Sequence, residues 1–310
     1  MSTESRTIIN PDVGKKLPSS VDFMLLGKCN LDCSFCFGPQ HEIPAIKTDL
    51  AIQTIRKLAL NGVESVVFTG GEPTLINDLP KIIEAAKSTG LTTVLSTNGL
   101  LLEKNDVLLN DIAKNLDWIS LPLDADLPEI NEKMRTGLTA EVGTKIFNAV
   151  LNLIPKIKDK YPKLGIKLGT VVAQPNLNNI VGIPELLASK NATPTTWKLY
   201  QISPSGYGKK NYDSLRISEK QFEEVCAKAK ESALKNNIYL ITRYTNTDRP
   251  GRNLFINPKG DALIVRDDSN DYYRIGNFLN DFNGVVNKCK SYVDKDLVRK
   301  NFETTYPKTP

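Results

Sequence analysis

The sequence predicts an α/β protein, a partial (β/α)6 TIM-like barrel with a C-terminal capping extension. Short β-branched runs alternate with longer amphipathic runs through the first two-thirds of the 310 residues, which predicts βαβ units and a parallel sheet. Six strands are too many for a half-barrel and fewer than the eight of a closed barrel. Gly or polar residues repeatedly end these strands, as expected where strand ends build one active face.

Each predicted strand is a short run rich in β-branched and other apolar residues, bounded by turn residues. Because the strands alternate with helices, we expect them to lie parallel and their carboxyl ends to share one edge. In chain order they are VDFMLLG (21–27), VESVVFTG (63–70), LTTVLSTNG (91–99), DWISLPLDAD (117–126), LGIKLGTVVAQ (164–174) and TTWKLYQIS (195–203).

The helices between the strands are predicted from apolar spacing and from end signals. The first takes Thr48 as its N-cap and ends near Gly62. A long helix from Thr139 to about Lys160 should break or kink near Pro155. In chain order the helices are TDLAIQTIRKLALNG (48–62), LPKIIEAAKSTG (79–90), DVLLNDIAKNL (106–116), residues 139–160 and IPELLASKN (183–191).

The alternation stops after Ser203, and this change predicts a division of the chain. We expect an N-terminal extension (1–20), a barrel core (21–202) and a C-terminal cap (203–310). The cap has too few strands to form a hydrophobic core of its own. The predicted elements of the cap are a connector SPSGYGKKNYDS (203–214), a helix from Ser218 to about Asn236, a strand IYLITR (238–243), a hairpin NLFINPKGDALIV (253–265) and a last helix near 284–302.

Composition narrows the class of protein. With 40% hydrophobic and 24% charged residues, the chain is typical of a globular protein. The net charge of +5 comes without any Lys/Arg run of five or more, so no nucleic-acid partner is expected. The N-terminus has no apolar signal region, and no segment is long and apolar enough to cross a membrane. An odd count of five cysteines then favours a cytoplasmic, reducing location.

Three of the five cysteines, Cys29, Cys33 and Cys36, lie within eight positions after the first strand. Structural zinc needs a fourth ligand, for which His41, the only histidine, is available. A ferredoxin-like cluster needs a fourth cysteine, and the two others are distant and lie in helical patterns. Three unrelated core cysteines fit poorly, because polar residues separate them. A [4Fe–4S] cluster can use all three cysteines as thiolate ligands and leave its fourth iron without a protein ligand.

A second motif, TGGEPT (69–74), follows the second predicted strand. Together with the Cys-x3-Cys-x2-Cys loop and Phe35 before its last cysteine, it makes the chain resemble the radical S-adenosylmethionine (SAM) enzymes over about residues 20–202. The resemblance implies a [4Fe–4S] cluster on the three cysteines and SAM on the open iron. It also implies reductive cleavage of SAM to a 5′-deoxyadenosyl radical, hydrogen abstraction from the substrate, and an electron donor such as flavodoxin or ferredoxin.

The resemblance further implies SAM contacts. The TGGEP segment matches the part of the family that receives the SAM amino group, and STNG matches the position facing the ribose or carboxylate. Asp124 occupies a fourth-strand position, and Arg135 resembles an Arg-Gly segment that pairs with the SAM carboxylate; a surface helix arginine is the alternative. The predicted cofactor-binding residues are Phe35, Phe37, Gly70, Gly71, Glu72, Ser96, Asn98, Asp124 and Arg135.

A weaker similarity is to the viperin-like branch, through CNLDCSFCF, IKLGTVV and TWKLYQ. It implies a nucleotide substrate with Lys167 and Lys198 directed toward its phosphates. Two positions depart from that branch: Gly169 stands where it generally has Asn, and Thr196 where it tends to have Arg. We predict a small anionic substrate, phosphorylated if this similarity holds. The candidate substrate residues are Lys167, Lys198, Tyr200 and Arg252.

Two alternatives remain open at this point. One is a peptide-modifying or glycyl-radical-activating enzyme of the same family, although only Cys226 and Cys289 are available for auxiliary clusters. The other, from a different class, is a non-catalytic Fe–S or zinc-binding module on an α/β scaffold. No catalytic acid or base is assigned from the sequence.

Overall fold

The structure is a computed structural model that describes residues 17–38, 43–137, 141–248, 251–266 and 272–308. Within these ranges ten strands form one sheet. The strands are β1 Ser20–Met24, β2 Ser65–Thr69, β3 Thr92–Ser96, β4 Trp118–Pro122, β5 Gly165–Val172, β6 Thr196–Gln201, β7 Ile241–Tyr244, β8 Phe255–Ile256, β9 Asp261–Val265 and β10 Tyr272–Asn277.

Eleven α-helices accompany the sheet in the same described ranges. They are α1 Thr48–Leu60, α2 Leu79–Ser88, α3 Leu100–Lys104, α4 Asp106–Ala113, α5 Pro128–Met134, α6 Val142–Lys160, α7 Ile183–Ser189, α8 Tyr207–Leu215, α9 Glu219–Lys235, α10 Phe282–Tyr292 and α11 Lys295–Thr305. None of these helices is long and apolar enough to cross a membrane.

The sheet is an open, parallel barrel wall with an antiparallel extension at one edge. Strands β1 to β7 are consecutive and parallel, which confirms the six predicted barrel strands and adds a seventh. Strand β8 pairs parallel with β1, and the predicted hairpin is confirmed as β8 antiparallel to β9. Strand β10 continues this antiparallel pairing. The C-terminal third therefore extends both edges of the sheet. The division at residues 20 and 202 stays a prediction.

Side chains of the barrel strands alternate between two environments, because successive residues point to opposite faces of a sheet. On β1, Val21 and Phe23 are fully buried in the main apolar core, which also includes Ile55 and Leu58 of α1. The residue between them, Asp22, lines a cavity inside the barrel. The outer face of the sheet thus supplies the main core, and the inner face lines a cavity with both apolar and charged side chains.

Two local predictions about the barrel helices need correction. Helix α1 begins at Thr48 with Lys47 as its N-cap, and the Thr48 hydroxyl donates to Asp78 Oδ2 at 2.9 Å instead of capping the helix. A break at Pro155 is ruled out, because α6 continues past it to Lys160, whereas the alternative of a kink there stays a prediction. Its apolar face, including Val150 and Ile154, is fully buried, and this packing outweighs the one missing backbone hydrogen bond. Thr139, the predicted start of this helix, lies outside the described residues.

The C-terminal third also differs from expectation in two places. The predicted connector contains α8, whose backbone Gly208 N donates to Cys36 O at 3.2 Å, so this helix packs directly on the cysteine loop. The single last helix is in fact two, because Asp294 caps a new helix by accepting from Asp296 N and Leu297 N, both at 3.0 Å. The helix predicted to start at Ser218 is confirmed, with Ser218 as its N-cap in a capping box.

Candidate active site

A cavity of about 340 Å³ runs through the inside of the barrel. At the carboxyl ends of the strands it is lined by the three cysteines of the loop after β1 and by the TGGE segment after β2. At the amino ends it reaches inward side chains of β4, β5 and β6 and the inner face of α11. Most of the site residues predicted from the sequence therefore meet around one space.

Cys29, Cys33 and Cys36 lie together on one wall of this cavity. Leu31 N donates to Cys29 Sγ at 3.4 Å and Gly38 N donates to Cys36 Sγ at 3.3 Å, an arrangement that favours thiolate ligands. Burial raises the pKa of the Cys29 and Cys33 thiols to about 12, so a bound cationic group is needed to hold them as thiolates.

Among the described residues no group of three His, Cys, Asp or Glu side chains is arranged to hold a metal ion. A four-iron cluster takes one thiolate at each of separate corners, so three thiols around one space fit it. His41, the histidine that the zinc alternative would need as a fourth ligand, lies outside the described residues.

The two glycines of the TGGE segment join the loop after β2 to the cysteine loop. Gly71 N donates to Leu26 O at 2.7 Å, and Glu72 N donates to Lys28 O at 3.0 Å. A Cβ on Gly71 would lie 2.0 Å from Lys28 O, and one on Gly70 would lie 2.4 Å from Leu26 O. Gly70 also has φ of +142°, which L side chains rarely adopt. Glycine is required at these two positions because the loop after β2 lies directly against the backbone of the cysteine loop. Both glycines also line the cavity.

Glu72 is a buried junction between the loops after β2 and β3. Its Oε1 accepts from Thr74 N at 3.0 Å and from the Thr74 and Thr97 hydroxyls, each at 2.6 Å, while its Oε2 accepts from Asn98 N at 2.8 Å. Burial raises the pKa of this carboxyl, and the four donors oppose that shift. Since Oε2 has only one of these donors, it is the oxygen that retains capacity for a ligand ammonium.

Ser96 and Asn98 lie where β3 ends, and both line the cavity. Asn98 Nδ2 donates to Asn30 Oδ1 at 2.7 Å, so the loop after β3 is tied to a residue between the first two cysteines. Asn30 was not selected from the sequence. Its position inside the cysteine motif was the available signal.

Asp124 and Arg135 form a buried ion pair, with Arg135 Nε 2.7 Å from Asp124 Oδ2. The Arg135 side chain is only 13% exposed, and its guanidinium lies 5.2 Å from the ring centroid of Phe35. It therefore lies inside the barrel and lines the cavity, not on the surface of a helix. Asp124 does not line the cavity: its other oxygen accepts from Val171 N at 2.8 Å. The geometry makes Asp124 the support of Arg135, and its predicted contact with the cofactor stays a prediction.

The two predicted aromatic residues have different surroundings. Phe35 is 8% exposed and packs in the main core under Arg135. Phe37 is 43% exposed, and its ring centroid lies 6.4 Å from those of both Phe255 and Tyr272. Both phenylalanines line the cavity, so the C-terminal strands contribute an aromatic wall next to the cysteine loop.

Lys167 of β5 and Lys198 of β6 lie in the deep part of the cavity. Lys167 Nζ donates to Ser120 Oγ at 3.0 Å, and Lys198 Nζ donates to residues of α11. Both ammonium groups lie near the ring of Tyr200, at 4.8 Å and 5.4 Å from its centroid. In the part of the chain that the structure describes, neither lysine has a carboxylate within 4 Å. Burial lowers the pKa of each to about 7.

Asp22 of β1 also lines this deep part, and sequence reasoning missed it. Asn253 Nδ2 donates to its Oδ2 at 2.7 Å, and burial raises the pKa of this carboxyl to about 6 despite the two lysines, which lower it. The signal available in the sequence was a charged residue at the centre of an otherwise apolar strand. Arg252 lines the cavity too, with its Nη2 paired to Asp248 Oδ1 at 2.9 Å.

Comparisons with known proteins give relatives in sequence and solved structures of similar fold. A protein of Flammeovirga pacifica named S-adenosylmethionine-dependent nucleotide dehydratase is 29% identical over 256 residues, covering 80% of this chain and 82% of that protein. A protein of the same name from Lacinutrix mariniflava is 32% identical over 79% of this chain, which spans half of that protein's length. In fold, the chain is similar to Streptococcus suis SuiB bound to S-adenosylmethionine, with a TM-score of 0.63 at 15% identity over 80% of this chain and 60% of SuiB.

The family comparison covers the region that carries both motifs. The model described as Radical SAM superfamily matches residues 24–179, which is half of the chain and includes the cysteine loop, the TGGE segment and strands β2 to β5. The chain therefore belongs to the radical SAM superfamily, whose enzymes use a [4Fe–4S] cluster and S-adenosylmethionine.

Proposed function

We propose that this radical SAM enzyme acts on a nucleoside phosphate and removes water from it. The observation that carries the proposal is the pair of buried lysines, Lys167 and Lys198, inside the cavity without a carboxylate at ion-pair distance in the described residues. Burying two like charges is costly unless a ligand of opposite charge compensates them. The nucleotide dehydratases named among the relatives give the class of anion.

The chemistry that the cofactors supply when bound is one-electron cleavage of SAM followed by removal of a hydrogen atom from the substrate. The residues of this chain bind, orient and enclose. In the proposal the three cysteines hold the cluster, and Arg135, Glu72 and the end of β3 receive SAM. The lysines receive phosphate at the opposite end of the same cavity. The cluster end and the anion end therefore bracket the position of the reacting sugar.

The two departures from the viperin-like pattern have local reasons in this structure. A Cβ at Gly169 would lie 3.0 Å from Lys167 Nζ and 3.5 Å from the Tyr200 ring, so glycine leaves room for that lysine side chain. Thr196 is buried, and its hydroxyl donates to Thr305 O at 3.0 Å, which fastens β6 to α11. Both positions support the lysine pair by packing, and so they are compatible with a phosphorylated substrate.

The proposal includes an external one-electron donor such as flavodoxin or ferredoxin, which would supply one electron for SAM cleavage and a second, taken up with a proton, when the substrate loses its hydroxyl as water. Cys226 of α9 and Cys289 of α10 are both buried, and they lie in separate helices outside the cavity wall. They are therefore poorly placed to form an auxiliary cluster that could store the electron, so we expect it to come from another protein.

The test is turnover by the anaerobically reconstituted enzyme, with SAM and dithionite, on the common ribonucleoside di- and triphosphates one at a time. We expect one nucleotide to stimulate release of 5′-deoxyadenosine and to yield a product lighter by one water in mass spectrometry. If no nucleotide does either in an enzyme with a full cluster, the proposed function is wrong, and a peptide or protein substrate becomes the next candidate.

Lysine variants test the observation on which the proposal depends, which is the pair of buried lysines in the cavity. Lys167→Ala and Lys198→Ala should each raise KM for the nucleotide about 10- to 100-fold, since hydrogen bonds to charged groups contribute about 1.5–3 kcal/mol. Iron content should not change. Lys220→Ala, at a side chain that is 87% exposed, is the matched control and should behave as wild type.

A further inference from the structure

Helix α11 forms the wall of the cavity at the amino ends of the strands. Its Phe302 and Tyr306 pack against a small apolar cluster from β2, β3 and β4, and the Tyr306 ring centroid lies 5.5 Å from that of Trp118. Trp118 is the first residue of β4, which places α11 at the opposite end of the barrel from the cysteine loop. The inner face of α11 lines the same cavity as the cysteines, and it does so through Asn301 and Thr305 among others.

Two side chains of this helix hold the ammonium of Lys198. Lys198 Nζ donates to Asn301 Oδ1 at 2.7 Å and to Thr305 Oγ1 at 2.7 Å. The Thr305 hydroxyl itself donates to Asn301 O at 2.7 Å, and this fixes its lone pairs toward the lysine. Thr196 Oγ1 donates to Thr305 O at 3.0 Å, so α11 is fastened to the strand that carries Lys198, two residues before it.

An ammonium has three donors, and α11 takes two of those on Lys198. Within the described residues the third has no acceptor, and the only other partners of the group are the rings of Tyr200 and Tyr244, the latter with its centroid at 4.7 Å. A long lysine side chain that is fixed by two hydrogen bonds has already lost its conformational entropy. Binding of an anion to it therefore carries no further entropic cost of ordering that side chain. The remaining N–H is available to such an anion.

We propose that Asn301 and Thr305 are positioning residues that direct the Lys198 ammonium at the phosphate group of the substrate. This proposal rests on the proposed function in one respect, because that function identifies the anion as the phosphate group of a nucleoside phosphate. It makes α11, which lies about 100 residues after Lys198 in the sequence, part of the substrate site.

A purely structural role for the same residues predicts a different outcome. If Asn301 and Thr305 only anchor α11, any loss of anchoring should have the same effect on ligand binding. The chain offers a matched control, because Arg299 on the same helix pairs with Glu64 through two contacts of 3.0 Å. Neither Arg299 nor Glu64 lines the cavity.

The experiment measures binding of inorganic tripolyphosphate by calorimetry to the holoenzyme, cluster-loaded and with SAM present. The variants are Thr305→Val, Asn301→Leu and their double variant, with Arg299→Ala as control. We expect about tenfold weaker binding and unchanged iron content for the double variant, and binding within twofold of wild type for Arg299→Ala. Thr305→Ser should bind as wild type, because it restores the hydroxyl.

The pH dependence supplies a second readout that helix anchoring would not move. Removing the Thr305 hydroxyl, one of the two acceptors, disfavours the charged form of Lys198, so the pH above which binding weakens should fall in Thr305→Val relative to wild type. Ionisation of tripolyphosphate is common to both proteins and cancels in the comparison. The other charged or titratable groups facing this ammonium are Lys167 of β5, Asp22 of β1, Tyr200 of β6, Tyr244 of β7, and Asp248 and Arg252 after β7, and all are retained.

Three results would overturn the inference: wild-type binding in the double variant, equal weakening by Arg299→Ala, or no tripolyphosphate binding by wild type. Failure of the proposed function looks different, because tripolyphosphate binding that depends on α11 would persist while no nucleotide is turned over. Nucleotide turnover in a double variant with unaltered KM would remove the inference and leave the proposed function in place.

Discussion

The two ends of the cavity are built in different ways. At the carboxyl ends of the strands, three loops that follow β1, β2 and β3 are bound to one another by backbone hydrogen bonds and by the buried Glu72 carboxylate, which accepts four donors. At the amino ends, the polar groups are single side chains on β1, β5 and β6 and on the distant helix α11. The first end is held together by hydrogen bonds between its own loops, whereas the second holds two lysine ammonium groups with no carboxylate within 4 Å among the described residues.

This difference indicates what each end does. A satisfied network fixes a metal cluster and a cofactor in one geometry, which the radical chemistry of the family needs at every turnover. Buried lysines whose charges are not matched lower the stability of the empty protein, and such a cost is tolerated at sites where a ligand supplies the missing charge. The cluster end should therefore respond to mutation by losing structure or cofactor, and the lysine end by losing affinity.

The largest expected effect is at the cluster end. Cys33→Ala removes one of three thiolates, so we expect iron content to fall to near zero and 5′-deoxyadenosine release to be abolished. ATP binding, measured by calorimetry with the same protein, should stay within about threefold of wild type, because the lysine end is built from other elements. Loss of ATP binding together with iron would show that the two ends are not independent. Cys226→Ala, in α9, is the control and should retain full iron.

The next largest effect is expected at the ion pair between Asp124 and Arg135, below the cysteine loop. Arg135→Gln leaves the fully buried Asp124 carboxylate without its partner, which should lower the free energy of unfolding by about 3–5 kcal/mol. The double variant Asp124→Asn with Arg135→Gln should recover part of that loss, since no charge is then left unpaired. Denaturant unfolding of the anaerobic protein measures both. Equal stability of the single variant and wild type would mean that the pair is solvated in solution.

A smaller effect is expected where the two loops touch. Gly71→Ala places a methyl group 2.0 Å from Lys28 O, and relief of that overlap should cost about 1–3 kcal/mol and lower iron content by displacing the cysteine loop. Gly90→Ala is the matched control: its φ is +83° but nothing lies within 4 Å of the added atom. It should lose some stability and keep its iron. Full iron in Gly71→Ala would show that the cluster loop tolerates movement.

The smallest expected effect is the pH dependence of the lysine end. Since burial lowers the pKa of Lys167 and Lys198 to about 7, both are largely neutral at pH 8.5, whereas a bound phosphate favours the ammonium form. Affinity for ATP should therefore be highest below pH 7 and fall as pH rises. Between pH 7.5 and 8.5, where phosphate ionisation is complete, it should fall by close to tenfold for each lysine that must take up a proton.

Calorimetry across this pH range measures the slope. The double variant Lys167→Met with Lys198→Met should bind weakly and show no slope. A slope that survives in the double variant would assign the titration to another group, of which Asp22 is the nearest candidate in the cavity.

The barrel strands and the cluster end were largely predictable from local sequence, because their signals are short-range. Strand alternation follows from apolar runs bounded by turn residues, and the helix starting after Ser218 follows from its capping box. The cysteine loop and the TGGE segment each occupy fewer than ten consecutive residues. The end of α10 was missed although Asp294 signals a new N-cap, and the continuation of α6 through Pro155 needed knowledge of its packing.

The sequence by itself determined the family, the cofactor chemistry and the order of the barrel strands, since each depends on residue type and spacing within one segment. Only the tertiary structure decided that Asp124 supports Arg135, that Asp22 lies beside the lysines, and that Asn301 and Thr305 hold Lys198. The partners in these contacts are 11 to more than 100 residues apart in the chain. Folding of the strands into one barrel wall brings them together, and no local pattern of residues records which side chains will meet inside it.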